Sequence, residues 1–164
     1  MKFACDVMLG SLARWLRASG HDVFYRAGID RSSLLRVARE EGRVVLTRAG
    51  TFRELSEIPP YLLIAGDDLD DQLAEVYRAF PSLDPFAAFL TRCLVCNALL
   101  EEIDKDAYVD RIPSKAFALE GRFCRCPTCD KLLWPGSHVR RMRERLERLC
   151  GPRERGADGP FPGA

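Results

Sequence analysis

Two cysteine pairs stand out first: Cys93-Leu-Val-Cys96 and Cys126-Pro-Thr-Cys129. Two residues between cysteines let both sulfurs of a tight knuckle face one ion while nearby backbone N–H groups support the thiolates. Two such knuckles complete a tetrahedral four-cysteine site for Zn2+, with ligands Cys93, Cys96, Cys126 and Cys129. A closed shell of four thiolates leaves no open coordination position, so this zinc folds a small module and does no chemistry. The alternatives are four unligated buried cysteines or a thioredoxin-like redox pair. Cys124, two residues before Cys126, is a competing ligand. Cys5 reads as an inert strand cysteine, and Cys150 as a residue near an exposed helix end.

The second set is acidic. Asp6, Asp30, Asp67 and Asp68 each come shortly after a short apolar run. Gathered carboxylates repel one another unless a cation sits among them, and hard oxygen ligands suit Mg2+ or Mn2+. Such an ion activates water and stabilises charge on a phosphodiester. The competing reading is helix capping, because Asp6, Asp30 and Asp68 each precede a helical pattern and aspartate is a favoured cap. Arg14 and Arg17, one helical turn apart, are candidates for phosphate contact beside a solvated-face reading. Trp15 reads as core, and His21 has no chemical partner in the sequence.

The elements that must position these groups alternate between strand and helix. Residues 2–5 form a strand, and Leu9, Leu12, Ala13 and Leu16 follow at helical spacing, stopped by Gly20. Residues 21–25 form a second strand, and Ser32 or Ser33 caps a helix with Leu34, Leu35 and Ala38 on its apolar face and Gly42 at its end. Residues 44–47 make a β-branched third strand, and a short turn carries Phe52 and Leu55. Residues 61–65 form the fourth strand, and Leu69, Leu73, Val76, Tyr77 and Phe80 face inward from the next helix. Four continuously apolar strands separated by helices predict an α/β fold with a parallel sheet covered on both faces. Ligands of such a sheet bind beyond the carboxyl ends of the strands, where three of the four ends supply a carboxylate.

Composition changes near residues 81–85. The predicted organisation is an α/β domain over residues 1–88, a zinc ribbon with a basic helix over 89–150, and a disordered tail over 151–164. The segment between the knuckles exceeds the usual length, which predicts an inserted hairpin with strands at 108–112 and 115–119. The terminal helix carries Arg140, Arg141, Arg143, Arg145 and Arg148, interrupted by Glu144 and Glu147. His138 either buttresses the zinc knuckle or touches a ligand.

The 164 residues include 25 Lys and Arg against 24 Asp and Glu, a net charge of +1, so no global field draws the chain to nucleic acid. Any basic surface is local. No secretory h-region or membrane-length apolar run is present in the sequence, and seven cysteines, an odd number, argue against a disulfide framework. The expected compartment is the cytoplasm.

The run Phe3-Ala-Cys-Asp6-Val-Met-Leu-Gly-Ser-Leu-Ala-Arg-Trp-Leu-Arg17, followed by Gly20-His-Asp-Val-Phe-Tyr25, closely resembles the start of the Mut-seven C-terminal RNase family. The blocks Gly42-Arg-Val-Val-Leu-Thr-Arg48, Asp67-Asp68 through Gln72-Leu73, Cys93 through Asn97, and Cys126 through His138 resemble the family in the same order. The resemblance implies a PIN-like nuclease fold fused to a zinc ribbon and metal-dependent RNA cleavage. It favours Asp6 as the best-placed ligand, with Asp30 and Asp68 next and Asp67 an alternative to Asp68. Arg14, Arg17 and Arg48 would engage phosphate, and His138, Arg140 and Arg141 would face RNA, free, structured or ribosomal. One position departs from the pattern: the family's Leu-Thr-Arg-Asp reads Leu46-Thr47-Arg48-Ala49 here. The expected activity is therefore a divalent-metal-dependent ribonuclease. The alternatives are an RNA- or ribosome-binding protein with impaired catalysis and a zinc-ribbon protein–protein adaptor.

Overall fold

Short runs of β-branched and apolar residues give four strands that pair only in parallel: β1 (Lys2–Cys5), β2 (Asp22–Phe24), β3 (Val44–Thr47) and β4 (Tyr61–Leu63). The computed structural model describes residues 1–54 and 58–151. Leu55 and the tail from Pro152 onward fall outside them. The strand order is β2-β1-β3-β4. The chain thus leaves β1 in one direction to place β2, then crosses back to place β3 on the other side. That reversal makes the gap between the carboxyl ends of β1 and β3 the topological switch point of the sheet.

Both faces of the sheet are covered, as its continuous apolar strands require. Helix α2 (Arg31–Glu41) packs Leu34, Leu35 and Ala38 against Ala4 and Val45 on one face. Alternation sends Phe3 to the other face, where its ring meets Phe80 at 5.5 Å and His21 at 6.2 Å. Helix α3 (Leu69–Ala79) lies there, with Tyr77 beside the His21 ring at 6.0 Å. His21 is therefore a packing residue. Helix α1 (Gly10–Ala18) buries Leu12, Ala13 and Leu16. Gly42 ends α2 in the left-handed conformation (φ 62°), which releases its N–H to the α2 carbonyls. Of the two caps expected for α2, the aspartate is found and the serines are not. Asp30 takes that position, and Ser32 and Ser33 both donate to its carboxylate, because a carboxylate accepts from several donors where a hydroxyl offers less.

At the opposite end of the strands, Arg43, the residue just before β3, is buried and ties that end to β1, β2 and α2. Its guanidinium donates to the Phe3 carbonyl at 3.1 Å and the Asp22 carboxylate at 2.6 Å, and it pairs with Glu41 at 2.6 Å.

The chain divides into two compact units: Met1–Arg17 with His21–Asp84, and Ala18–Gly20 with Pro85–Ala164. The second unit contains an antiparallel sheet of β5 (Glu101–Ile103), β6 (Phe123–Arg125) and β7 (Leu132–Leu133), in that order. The predicted hairpin strands at 108–112 and 115–119 are not strands. That segment forms a 3-10 turn (Lys105–Tyr108) and a short helix α4 (Ser114–Phe117). Asp104 caps the turn by accepting the Asp106 N–H, and Pro113, which has no N–H to give a ladder, leads into α4. Ile112, Ala116 and Phe123 form a small core there, and Lys105 donates to the Phe117 carbonyl at 2.8 Å. Helix α5 (Ser137–Cys150) buries Val139, Met142 and Leu146. No helix among the described residues is long and apolar enough to cross a membrane.

Replacing Arg43 by methionine removes the clamp and leaves the Asp22 carboxylate without its cation. Urea unfolding should show a loss of about 2–3 kcal/mol.

Candidate functional site

The cysteines converge as their spacing requires. All four ligand sulfurs of Cys93, Cys96, Cys126 and Cys129 lie within 4.8 Å of one another. The Cys93–Cys129 sulfur distance is 3.5 Å and the Cys96–Cys126 distance 3.3 Å. A disulfide would need about 2.0 Å. A tetrahedral ion with Zn–S bonds of about 2.3 Å sets sulfurs about 3.8 Å apart, so the donor set fits zinc.

The two knuckles share one backbone design. The Cys93 N–H donates to the Ala98 carbonyl, and Asn97 N–H returns to the Cys93 carbonyl. In the second knuckle, Cys126 N–H donates to Lys131 and Asp130 N–H returns to Cys126. Asn97 (φ 72°) and Asp130 (φ 58°) are both left-handed, a conformation asparagine and aspartate tolerate better than other side chains. Each directly follows its Cys-x-x-Cys, a signal the sequence carried and its reading missed. Arg111 and Arg125 both hold the Asp130 carboxylate, which fixes the second knuckle further. Burial opposes ionisation of Cys126, but the Cys129 N–H, the Cys96 thiol and the Thr128 N–H outweigh it and pull that thiol down to about 7. Cys124 stays outside the sulfur group. It sits in β6 opposite Glu102 and Leu133, buried, with its thiol pushed up by desolvation. His138 is exposed and is not in the group either.

The acidic residues are placed differently. Each of Asp6, Asp30 and Asp68 accepts a backbone N–H at the start of the helix that follows it, from Met8, Ser33 and Asp71 respectively. Among the described residues, the four cysteines are the one group of three or more metal-ligating side chains gathered within 4.8 Å, so these carboxylates are not drawn together to that distance. Asp30 is solvent-facing, and the hydroxyl of Ser32, then the N–H and hydroxyl of Ser33, hold its carboxyl well below the usual range.

Asp6 is the exception in environment. It follows β1 at the switch point and is only 8% exposed. One carboxylate oxygen accepts the Met8 N–H at 2.9 Å. The other accepts the Thr47 hydroxyl at 2.5 Å and the Arg48 N–H at 2.9 Å. Thr47 in turn accepts the Ala49 N–H at 3.0 Å. Thr47 was not predicted as a site residue, because its adjacency to Asp6 depends on β3 pairing with β1. A cleft of about 170 Å³ opens beside this carboxylate, lined by Asp6, Thr47, Ala49, Met8, Ile29 and Phe52 among others.

The predicted arginines divide. Arg14 is exposed. Arg17 is 4% exposed, with Nε and Nη2 both donating to the Val23 carbonyl, so its cation is held inside the fold. The reason is spacing: Arg17 follows buried Ala13 by four residues and shares its helix face. Arg48 pairs with Asp67 at 2.5 Å, and Asp67 is 95% exposed. Glu75, also not predicted, accepts the N–H groups of Ala65 and Gly66 and so fixes the start of the loop carrying Asp67 and Asp68. On α5, Arg140 and Arg141 are exposed, while Arg143 packs over the rings of Phe86 and Phe89 at 5.5 and 5.2 Å. Arg140 also faces Glu144 at 3.6 Å, an exposed pair of small energetic value.

The metal assignment predicts one equivalent of zinc per chain by elemental analysis. Cys126→Ala should lose it and Cys124→Ala should keep it. Because protons compete for the thiolates, zinc affinity should fall steadily as pH is lowered, read by a chromogenic chelator.

No curated protein and no solved structure matches the chain. The Mut7-C RNAse domain family model matches residues 1–146 of the 164. With a parallel α/β sheet, a carboxylate fixed at its switch point and a four-cysteine cluster later in the sequence, the chain belongs to the Mut7-C RNase domain family.

Proposed function

We propose that this protein is a PIN-like, divalent-metal-dependent ribonuclease whose reacting phosphodiester lies at Asp6, with the zinc ribbon helping to hold RNA. The observation that carries the reading is the Asp6 carboxylate, locked in orientation at the switch point by Met8, Thr47 and Arg48. Among the described residues, Asp6 Oδ1 accepts a single hydrogen bond, which leaves it acceptor capacity for a cation. Ala49 adds no donor. Mg2+ keeps several of its waters and is commonly held by one or two carboxylates together with substrate phosphates. One carboxylate of this kind therefore fits an Mg2+ or Mn2+ ion that arrives with RNA, and does not make a stand-alone cage. When bound, the ion supplies Lewis-acid activation of water and neutralises charge on the phosphodiester.

The protein's own groups do the rest. Thr47 and the Arg48 N–H keep the carboxylate aimed. The Arg48 side chain starts from the same residue, and its solvent-exposed partner Asp67 is an easily displaced competitor for a phosphate. Exposed Arg14 and, on the second unit, His138, Arg140 and Arg141 are further phosphate-facing candidates. Asp30 and Asp68 remain candidates for a supporting role through water rather than direct ligation. Free cysteines throughout the described residues suit a reducing compartment such as the cytosol.

A second reading, an RNA- or ribosome-binding protein with little hydrolysis, is favoured by Ala49 and by the lack of a gathered carboxylate trio among the described residues. Labelled RNA with Mn2+ separates the two. The nuclease reading expects cleavage that chelator stops and that Asp6→Asn abolishes while the variant still melts cooperatively. Ala49→Asp should raise the rate by at least about tenfold, because it adds a second carboxylate beside the first. A wild type and an Ala49→Asp variant that never cut, yet shift RNA with steep salt dependence, would establish the binding reading.

A further inference from the structure

The cleft beside Asp6 has a chemistry that the phosphodiester does not need. Among the described residues, the lining apart from Asp6, Thr47 and Arg31 is apolar: Val7, Met8, Ile29, Leu34, Ala49 and Phe52. Apart from Asp6 Oδ1, its polar groups are already engaged. Thr47 donates to Asp6 and accepts from Ala49, and Arg31 donates to Thr51 at 2.8 Å while lying over the Phe52 ring at 5.6 Å. Met8 forms one wall and is 62% exposed, and Val7 beside it is 44% exposed, so apolar surface continues from the cleft to its rim. The volume, about 170 Å³, is close to the roughly 150 Å³ at which an apolar protein cavity accepts a benzene ring.

We infer that this cleft receives one unpaired nucleobase of the RNA, the base next to the phosphodiester held at Asp6. The inference rests on the proposed function for the position of the phosphate and extends it to the substrate class. A base can enter only when it leaves its stack and its pairing partner, so the substrate is single-stranded or looped RNA rather than a continuous duplex. The apolar walls meet the faces of the base, as stacking platforms do without regard to sequence. The volume matches a six-membered ring, so pyrimidines fit inside and purines project from the mouth. With its hydrogen-bonding groups mostly engaged, the cleft reads size rather than base edges. Ala49 belongs to this design, since a bulky apolar side chain such as leucine there would fill the space.

The experiment measures binding of short single-stranded RNAs with chelator present, so that no cleavage intervenes. Each oligonucleotide carries an intact pyrimidine or an abasic ribose at one position, moved along the strand. For the wild type, one abasic position should weaken binding about tenfold, the scale of a lost base–protein stack, and a purine there should bind less well than a pyrimidine. Met8→Ala removes a solvent-exposed wall without touching the core, and Ala49→Leu fills the cleft. In both, the penalty for the abasic position should shrink towards onefold. Wild-type binding that is indifferent to every abasic position overturns the base site but leaves the ribonuclease reading intact. A penalty unchanged in both variants places the base elsewhere and also overturns it. Cleavage without base discrimination, or base discrimination without cleavage, tells the two proposals apart. Failure of the wild type to bind any RNA defeats both.

Discussion

One carboxylate organises the N-terminal unit. Asp6 accepts hydrogen bonds from Met8 on its own strand's exit and from Thr47 and Arg48 on the exit of the neighbouring strand. A buried carboxylate without donors would be strongly destabilising, so the loops after β1 and β3 are constrained to deliver those donors. That constraint fixes where the chain turns after both strands. It also fixes which side chains line the cleft between them, and it leaves an anion at the place where a doubly wound sheet binds its ligands. Arg43 acts as a counterpart at the other end of the same strands, satisfying a carbonyl of β1, a carboxylate of β2 and the Glu41 carboxylate at the end of α2.

The second unit solves a different problem. Its apolar core around Ile112, Ala116 and Phe123 is small, and its strands are two or three residues long. Four sulfurs stand at zinc-binding distance, and a zinc ion held there would supply the cohesion that such a core lacks. The inserted segment between the knuckles is tied back by Arg111 to Asp130, so the residue that shapes the second knuckle also anchors the insertion. Lys105, donating to the Phe117 carbonyl and lying over the rings of Phe117 and Phe123, closes the small core from another side.

Asp6 shows why a helix cap and a candidate reactive group need not be alternatives. The Met8 N–H contact is a capping bond, and the two contacts from β3 turn the same side chain into a fixed anion at the switch point. Asp30 and Asp68 have the capping half only, with serines or solvent around them. Burial and cross-strand donors, rather than residue type, distinguish the three.

Much of this was legible in the sequence. The apolar runs at β1 to β4, the helices between them, Gly42 as a helix stop and the four cysteine ligands all follow from local patterns. Strand propensity, helical period, left-handed glycine and two-residue knuckle spacing each act over only a few residues. The insertion between the knuckles was misread, because its apolar spacing suited strands while Asp104 and Pro113 set a turn and a helix. Everything that depends on which strand lies beside which was decided by the tertiary structure. The β2-β1-β3-β4 order brings Thr47 to Asp6 across 41 positions of sequence and turns Arg17 inward onto Val23, while Asp6, Asp30 and Asp68 do not gather as a trio within 4.8 Å. Local sequence fixes the elements because their hydrogen bonds and capping are local. The site between them arises only from long-range pairing, which no short run of residues encodes.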